Sequence, residues 1–299
     1  MIYYFEIHGK TLISNFVSIR QFNINKLNKE SLLSRYFINL SFKGTNYKGW
    51  QVQPGAVTVQ GTLQNALSLL LRENIVLTGA GRTDSGVHAI NYIAHFDSAD
   101  GNLNNNAELI PKLNSFLPFD IIVQGIFNVD IKTHARYDAV SRTYHYIITK
   151  NKNPFLNEFS HHVYWPIDIQ SMNKACEILK NHSDFTSFSK LHSDNKTNIC
   201  RLDEAEWREI QEGIIIFRVK SDRFLRGMVR AITGTMLDIG SGKMDFKEIE
   251  RVLAGKNRGE AGMSAPANGL FLTNITYKDG IVPEKKVNNT ILPNSDLFF

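Results

Sequence analysis

Cysteine is scarce. The 299 residues hold two, Cys176 and Cys200. Two cysteines this far apart supply neither a disulfide framework nor a cysteine-based zinc site. Their scarcity fits a reduced, cytoplasmic setting. Long apolar runs are missing too, and no stretch approaches the ~20 residues of a membrane span, so no membrane partner is expected. The opening MIYYFEI gives way at once to Glu6, His8 and Lys10. Without a basic region ahead of an apolar stretch it does not read as a secretory leader. There is no large charge excess of one sign. Lys and Arg total 34 against 29 Asp and Glu, a net +5, which permits a polyanionic partner without requiring one. Apolar material is plentiful: 42% of residues are hydrophobic and 21% charged, a balance that builds a core and excludes a wholly disordered chain. The length predicts about two domains.

Residues 1–34 differ from the rest, with many Asn, Ile and Lys and no clear period. They read as a poorly ordered extension. From Tyr36 onward, Tyr36, Ile38, Leu40 and Phe42 alternate with Phe37, Asn39 and Ser41, which is a strand pattern. KGTNYKGWQVQPG reads as a loop. Leu63, Ala66, Leu67 and Leu70 mark an amphipathic helix over about Val59–Arg72. Strands are predicted at Asn91–Phe96 and Ile121–Phe127, with a helix near Ala107–Phe116 whose Pro111 distorts it or marks its start. Later strands are expected at Thr143–Thr149, Glu204–Ile210, Ile214–Lys220 and Leu270–Tyr277, with a hairpin turn at Gln211-Glu212-Gly213. Asp168 caps a helix with core face Met172, Ala175, Cys176 and Leu179. A further helix runs from about Leu225 to Ile239, and a shorter one closes with Gly255 at C′.

Strands and helices mix without strict alternation, so the class is α+β rather than a doubly wound parallel sheet. The two halves share a style that fits a pair of ferredoxin-like units. We place an N-terminal domain at 35–138, a C-terminal domain at 139–284 and a tail at 285–299.

The stretch richest in chemistry is Gly81-Arg82-Thr83-Asp84-Ser85-Gly86-Val87-His88-Ala89. In an extended chain Arg82 and Asp84 point the same way, and a neighbouring cation keeps a carboxylate ionised. Gly81 and Gly86 allow tight turns and close approach of a ligand. Taken alone, the stretch also fits a surface turn with an ion pair worth about 0–1 kcal/mol. It is not a dinucleotide fingerprint, because Asp84 replaces the third glycine. No GxxxxGK[ST] phosphate loop occurs.

GRTDSGVHA closely resembles the catalytic segment of the tRNA pseudouridine synthase A family. The resemblance extends in order through YFINLSFKGTNYKGWQVQ, TVQGTLQNAL, LNSFLPFDIIV, HARYDAVSRTYHY, FLRGMVRAITGTML and AGMSAPANGLFLTNITY. It covers about Arg35 to Tyr277. By position, Asp84 matches the essential carboxylate, Arg82 its ionic partner and Tyr144 the tyrosine that contacts the target uracil. Ser85 stands where Ala is common. The resemblance implies a cofactor-free tRNA-uridine isomerase, acting in the anticodon stem-loop around positions 38, 39 and 40 of tRNA. It also implies a homodimer, and an RNA-binding cleft between two antiparallel sheets.

Five basic residues, Arg218, Lys220, Arg223, Arg226 and Arg230, face a single acid, Asp222, in the same thirteen residues. Arg226 and Arg230 are i, i+4 neighbours on the predicted helix, with Leu225, Met228, Val229 and Ile232 on its core side. These arginines are candidate phosphate contacts, extended by Arg136 and Arg142 and by Lys43 and Lys48. Tyr144 offers a flat face for a flipped base, or a phenol to take the C5 proton. His161, His162, His182 and His192 lack metal-ligand spacing, so no metal is expected. Two other function classes remain open. One is a catalytically inactive RNA-binding or RNA-chaperone protein on the same fold. The other is a hydrolase using Asp84, which would need a second carboxylate that the motif does not supply.

Overall fold

The computed structural model describes residues 33–190 and 196–282. Nearly all of the N-terminal extension, the tail from 285 and His192 lie outside the described residues. Among the described residues nine strands form one sheet: β1 (Ser34–Phe42), β2 (Thr78–Gly79), β3 (His88–Ser98), β4 (Ile121–Val129), β5 (Ala139–Thr149), β6 (His161–His162), β7 (Leu202–Gln211), β8 (Ile214–Ser221) and β9 (Leu270–Tyr277). The order is β4-β1-β3-β9-β5-β8-β7, with β2 on β3 and β6 on β5. Five α-helices join them: α1 (Val59–Leu71), α2 (Leu109–Phe116), α3 (Ile169–Lys180), α4 (Met228–Gly240) and α5 (Glu248–Gly255). The class is α+β.

Each half of the sheet is antiparallel along its main path, but the halves are not separate. The last strand, β9, lies between them. It pairs antiparallel with β5 and makes a two-residue parallel join to β3, His88 opposite Phe271 and Ala89 opposite Leu272. Two cores flank this join. One gathers Tyr36, Leu40, Trp50, Leu63 and Phe96; the other gathers Tyr146, Trp207, Phe217 and Met236. Core membership does not follow chain order. Leu272, Ile275 and Tyr277 belong to the first core, and Val87 belongs to the second.

Local signals account for most element boundaries. Thr58 caps α1 by accepting from the Gly61 amide, and Arg72 ends the helix in the left-handed region at φ 55°. Pro111 falls in the first turn of α2, where its missing N–H would lack a helical partner anyway. Asp168 caps α3, whose buried residues are Met172, Ala175, Cys176 and Leu179. The β7–β8 hairpin turns at Gly213, φ 76°.

Two boundaries differ from expectation. Helix α4 begins at Met228, after Gly227 takes φ 74°, so Arg226 lies ahead of the helix and shares no helical face with Arg230. Helix α5 ends on Gly255, and Lys256 takes the left-handed position at φ 47°. A Cβ at Gly255 would sit 2.6 Å from the Glu260 carboxylate, the movable end of a flexible side chain.

Helix α4 is buried on almost all sides; within it only Arg230 and Asp238 are not buried. A helix apolar all round belongs inside a protein. Its Gly234 lies so close to Met263 that an added Cβ would fall 1.6 Å from the Met263 carbonyl oxygen. The segment after α5 is thereby pressed onto α4, and the direction in which Arg230 leaves the helix is fixed.

Candidate active site

The loop from Ala80 to His88 is suspended between the two cores, with Ala80 packed in the first and Val87 in the second. Its backbone is held at several points. The Ala80 amide donates to Ile93 O (2.9 Å), Gly81 O accepts from the Tyr92 hydroxyl, and Thr83 O accepts from the Trp50 amide (3.3 Å). The Val87 amide then closes a turn onto Asp84 O (3.2 Å), which Gly86 permits at φ 81°. The loop rests on residues 44–50. Gly49 at φ 85° leaves no room for a side chain, because a Cβ would lie 2.4 Å from Thr83 O. The Ser85 hydroxyl donates to Tyr47 O at 3.1 Å.

His88 ends the loop as a staple. Its Nδ1 accepts from the Gly44 amide, so Nε2 carries the hydrogen and faces the carbonyls of Glu158 and Asn268 at 3.1 and 3.2 Å. Burial lowers its pKa against the opposing effect of those carbonyls. A neutral ring joining three segments has no lone pair left for catalysis.

The ionic partner of Asp84 is Arg230. The guanidinium reaches the carboxylate at 3.4 Å, and both side chains are only partly exposed, 24% for Arg230 and 31% for Asp84. The Arg230 Nε also donates to Ala265 O at 2.7 Å. Arg82 does not take this place: it is exposed and forms no ion pair among the described residues. Side-by-side placement of Arg82 and Asp84 needs an extended chain. Here the chain is pinned at Thr83 and turns at Ser85-Gly86, which carries Asp84 towards α4. Arg230, expected to grip phosphate, is therefore occupied by the carboxylate. The clue in the sequence was a single cation in the apolar run MVRAITGTML.

Tyr144 lies on β5 and packs against both cores. Its ring meets Phe224 edge-on, with centroids 5.1 Å apart and planes at 89°. Burial pushes its pKa up to about 12; the Arg142 guanidinium opposes this and the Asp84 charge adds to it. At neutral pH such a phenol is almost wholly protonated, so it is poorly matched to accepting the C5 proton. It suits the roles of ring face and neutral donor. Its hydroxyl makes no hydrogen bond among the described residues.

Arg142 is not a free phosphate contact. Its guanidinium donates to four backbone carbonyls: Ala139 (3.0 Å) and Asp222 (2.8 Å) through Nη1, Ala80 (3.2 Å) and Arg136 (2.6 Å) through Nη2. One side chain thus ties β5 to the Asp84 loop, to the loop after β8 and to the loop before β5. Burial lowers its pKa, and the nearby Tyr277 and Tyr144 oppose that.

The basic cluster is dispersed by the fold. Arg218 and Lys220 pair with Glu204 at 2.8 and 3.6 Å, and Lys43 pairs with Glu158 at 3.2 Å. Among the described residues Arg82, Arg136, Arg223 and Arg226 form no ion pair; Arg82, Arg136, Arg226 and Lys48 are exposed, Arg223 half-buried. His161 and His162 form β6, and His182 follows α3. Among the described residues no group of three or more His, Cys, Asp or Glu is placed to hold a metal ion.

The sequence pattern of the tRNA pseudouridine synthase family matches residues 175–278. The chain is 48% identical over 249 residues to the tRNA pseudouridine synthase A of Azobacteroides pseudotrichonymphae, covering 83% of this chain and 99% of that protein. It is 46% identical over 266 residues to that of Bacteroides thetaiotaomicron, covering 87% and 98%. The like-named protein of Limosilactobacillus reuteri is 37% identical, covering 81% and 96%. With identity of this level along nearly the whole length of these relatives, the chain belongs to the tRNA pseudouridine synthase A family.

Proposed function

We propose that this protein isomerises uridine to pseudouridine in tRNA, with Asp84 as the essential carboxylate. The observation that carries the reading is the Asp84–Arg230 pair, on a loop held at both ends and at Thr83, with a neutral Tyr144 whose charge balance senses Asp84. In this reaction the N1–C1′ bond breaks, the uracil turns over, C5 bonds to C1′, the C5 proton leaves and N1 takes one up. Nothing is oxidised or reduced, so no cofactor is called for. An ionised carboxylate serves in any of three ways: as nucleophile at C1′, as nucleophile at the base, or as the group that takes a sugar proton to give a glycal. In each it also stabilises positive charge developing at C1′. The uridine must leave its stack at a cost of a few kcal/mol, and Tyr144 offers the ring face that offsets part of it. Arg82 is then free to meet RNA phosphate rather than Asp84, together with Arg136, Arg223 and Arg226.

The finer reading follows the family resemblance: uridines around positions 38, 39 and 40 of the anticodon stem-loop, bound by a homodimer. A cytoplasmic setting agrees with Cys176 and Cys200 being buried and unpaired. Among the described residues no helix is long and apolar enough to cross a membrane. A protein that only binds RNA has no use for a carboxylate held this closely, which weighs against the inactive alternative.

The test uses tRNA carrying tritium at uracil C5. Wild-type protein should release tritium in proportion to uridine converted, without free uracil. Asp84→Asn should abolish release and keep tRNA binding within a few-fold. Free uracil would mean hydrolysis, and an active Asp84→Asn variant would remove Asp84 from the mechanism.

A further inference from the structure

Linked through Arg142 to the root of the Asp84 loop, one surface group combines an exposed aromatic ring, positive charge and a tightly fixed backbone. Tyr137 lies between β4 and β5 and is 75% exposed. Its ring packs on His134 with centroids 4.3 Å apart, and the Arg136 guanidinium lies 5.8 Å from its centre. Exposed aromatic side chains are common on mobile loops, where holding one still costs entropy at each binding event. This loop is already held. The Ala135 amide donates to His95 Nδ1 and Ala135 O accepts from the Tyr277 hydroxyl. The His134 amide donates to the Asp138 carboxylate at 2.7 Å, and His134 Nδ1 accepts from the Arg136 amide at 3.1 Å. Arg136 O is held by Arg142 through the same nitrogen that holds Ala80 O at the root of the Asp84 loop. The ring is therefore fixed relative to the catalytic loop through one guanidinium, while Arg136 forms no ion pair among the described residues.

We propose that Tyr137, braced by His134 and Arg136, is a stacking platform for an unpaired nucleobase of the tRNA next to the uridine delivered to Asp84. The proposal rests on the tRNA-isomerase reading above. Extruding a uridine unstacks its neighbours, and a fixed ring of this kind receives any base, because every base has a flat face. The adjacent guanidinium supplies a cation for the phosphate of the same nucleotide.

The experiment compares Tyr137→Ala and Tyr137→Trp in the full chain, using tritium release for turnover and filter binding for affinity. Tyr137→Ala should weaken tRNA binding about 5- to 150-fold, the range of one base–aromatic stack, with kcat falling less than KM rises. Tyr137→Trp should stay near wild type. Neither should lower the thermal midpoint, because the side chain is exposed, nor change the salt slope, because no charge is removed. An alanine variant within twofold of wild type overturns the platform, as does a tryptophan variant as weak as alanine. If Tyr137→Ala instead changes the sedimentation of the protein, the ring belongs to a contact between copies and the proposal falls. Wild-type protein that releases no tritium overturns the isomerase reading itself, a result distinct from a normal wild type with a normal alanine variant.

Discussion

Replacing Arg142 by methionine keeps the apolar stem and removes a guanidinium that serves four carbonyls. The Arg136 carbonyl is at the surface, so water takes over there. The carbonyls of Ala80, Ala139 and Asp222 are part-buried, and each loses a charged donor. At about 1 kcal/mol for each such loss, the low end of the range for an abandoned buried acceptor, the cost is about 3 kcal/mol. Part of this returns, because burial disfavours the charged guanidinium and no carboxylate is bonded to it. A net loss of about 2 kcal/mol is expected in urea unfolding. The catalytic consequence should be larger than the loss of stability suggests, since Ala80 roots the Asp84 loop and small misplacements of reacting groups cost up to about 100-fold in rate. We expect kcat for tritium release to fall about 10- to 100-fold with tRNA affinity less affected. Arg142→Lys should recover less than half of the stability, because one ammonium cannot span four carbonyls. The salt dependence of tRNA binding should not change. An Arg142→Met protein within about 0.5 kcal/mol of wild type and with normal kcat would refute the reasoning; a flatter salt slope would return Arg142 to the phosphate contacts.

Arg226 makes the opposite prediction. It is exposed and without an ion pair among the described residues, so Arg226→Ala should weaken tRNA binding and reduce the slope of log K against log salt by about one; an unchanged slope removes it from the interface. Acid stability should depend on two buried imidazoles. Burial pulls the pKa of His95 and of His145 from 6.5 down to about 4, reinforced by Arg35 for the first and by Arg218 for the second. Both rings are neutral in the fold but take protons in the unfolded chain as pH falls below 6.5. The unfolded state binds more protons in that window, so stability is complete above about 6.5 and declines as pH drops towards 4. Urea titrations at pH 7 and pH 5 should show the decline, and His145→Gln should make it smaller. Equal pH dependence in the two proteins would show that His145 takes no part.

The fold was legible wherever a local pattern carried the information. Strand β9 was expected at Leu270–Tyr277 and is found there, the cap at Asp168 forms, the apolar face of α3 is buried as spaced, and that of α1 is buried but for the half-buried Leu70. Beyond the β7–β8 hairpin, what could not be read was the partner of each strand. The alternation in β1 marks Tyr36, Ile38, Leu40 and Phe42 as core, yet Phe37 and Asn39 are buried as well. Phe37 is covered by Tyr277, 5.2 Å away between ring centroids, from a strand 240 positions along the chain. The parallel join of β3 to β9 is of the same kind: two residue pairs, too few to leave a period, decide that the halves share one sheet.

The site divides along the same line. Asp84 and Tyr144 are the residues the motif resemblance marks, each within its own segment. Spacing and the resemblance both paired Asp84 with Arg82, whereas in the structure its ion pair is with Arg230. Arg82 is two residues away in sequence, whereas Arg230 is 146 residues away and 3.4 Å distant in space. The run from Arg218 to Arg230 read as one basic surface because charge was counted along the chain. In three dimensions Glu204 takes Arg218 and Lys220, Asp84 takes Arg230, and carbonyls take the more distant Arg142. In the proposed function the cations open to phosphate are those not already paired within the fold, and that is why net charge was a weak guide to an RNA partner. A basic residue on a buried helix such as α4 must find an anion or carbonyls inside the protein to offset its desolvation. Burial, more than sequence proximity, therefore decides which arginines pair inside the protein and which stay exposed.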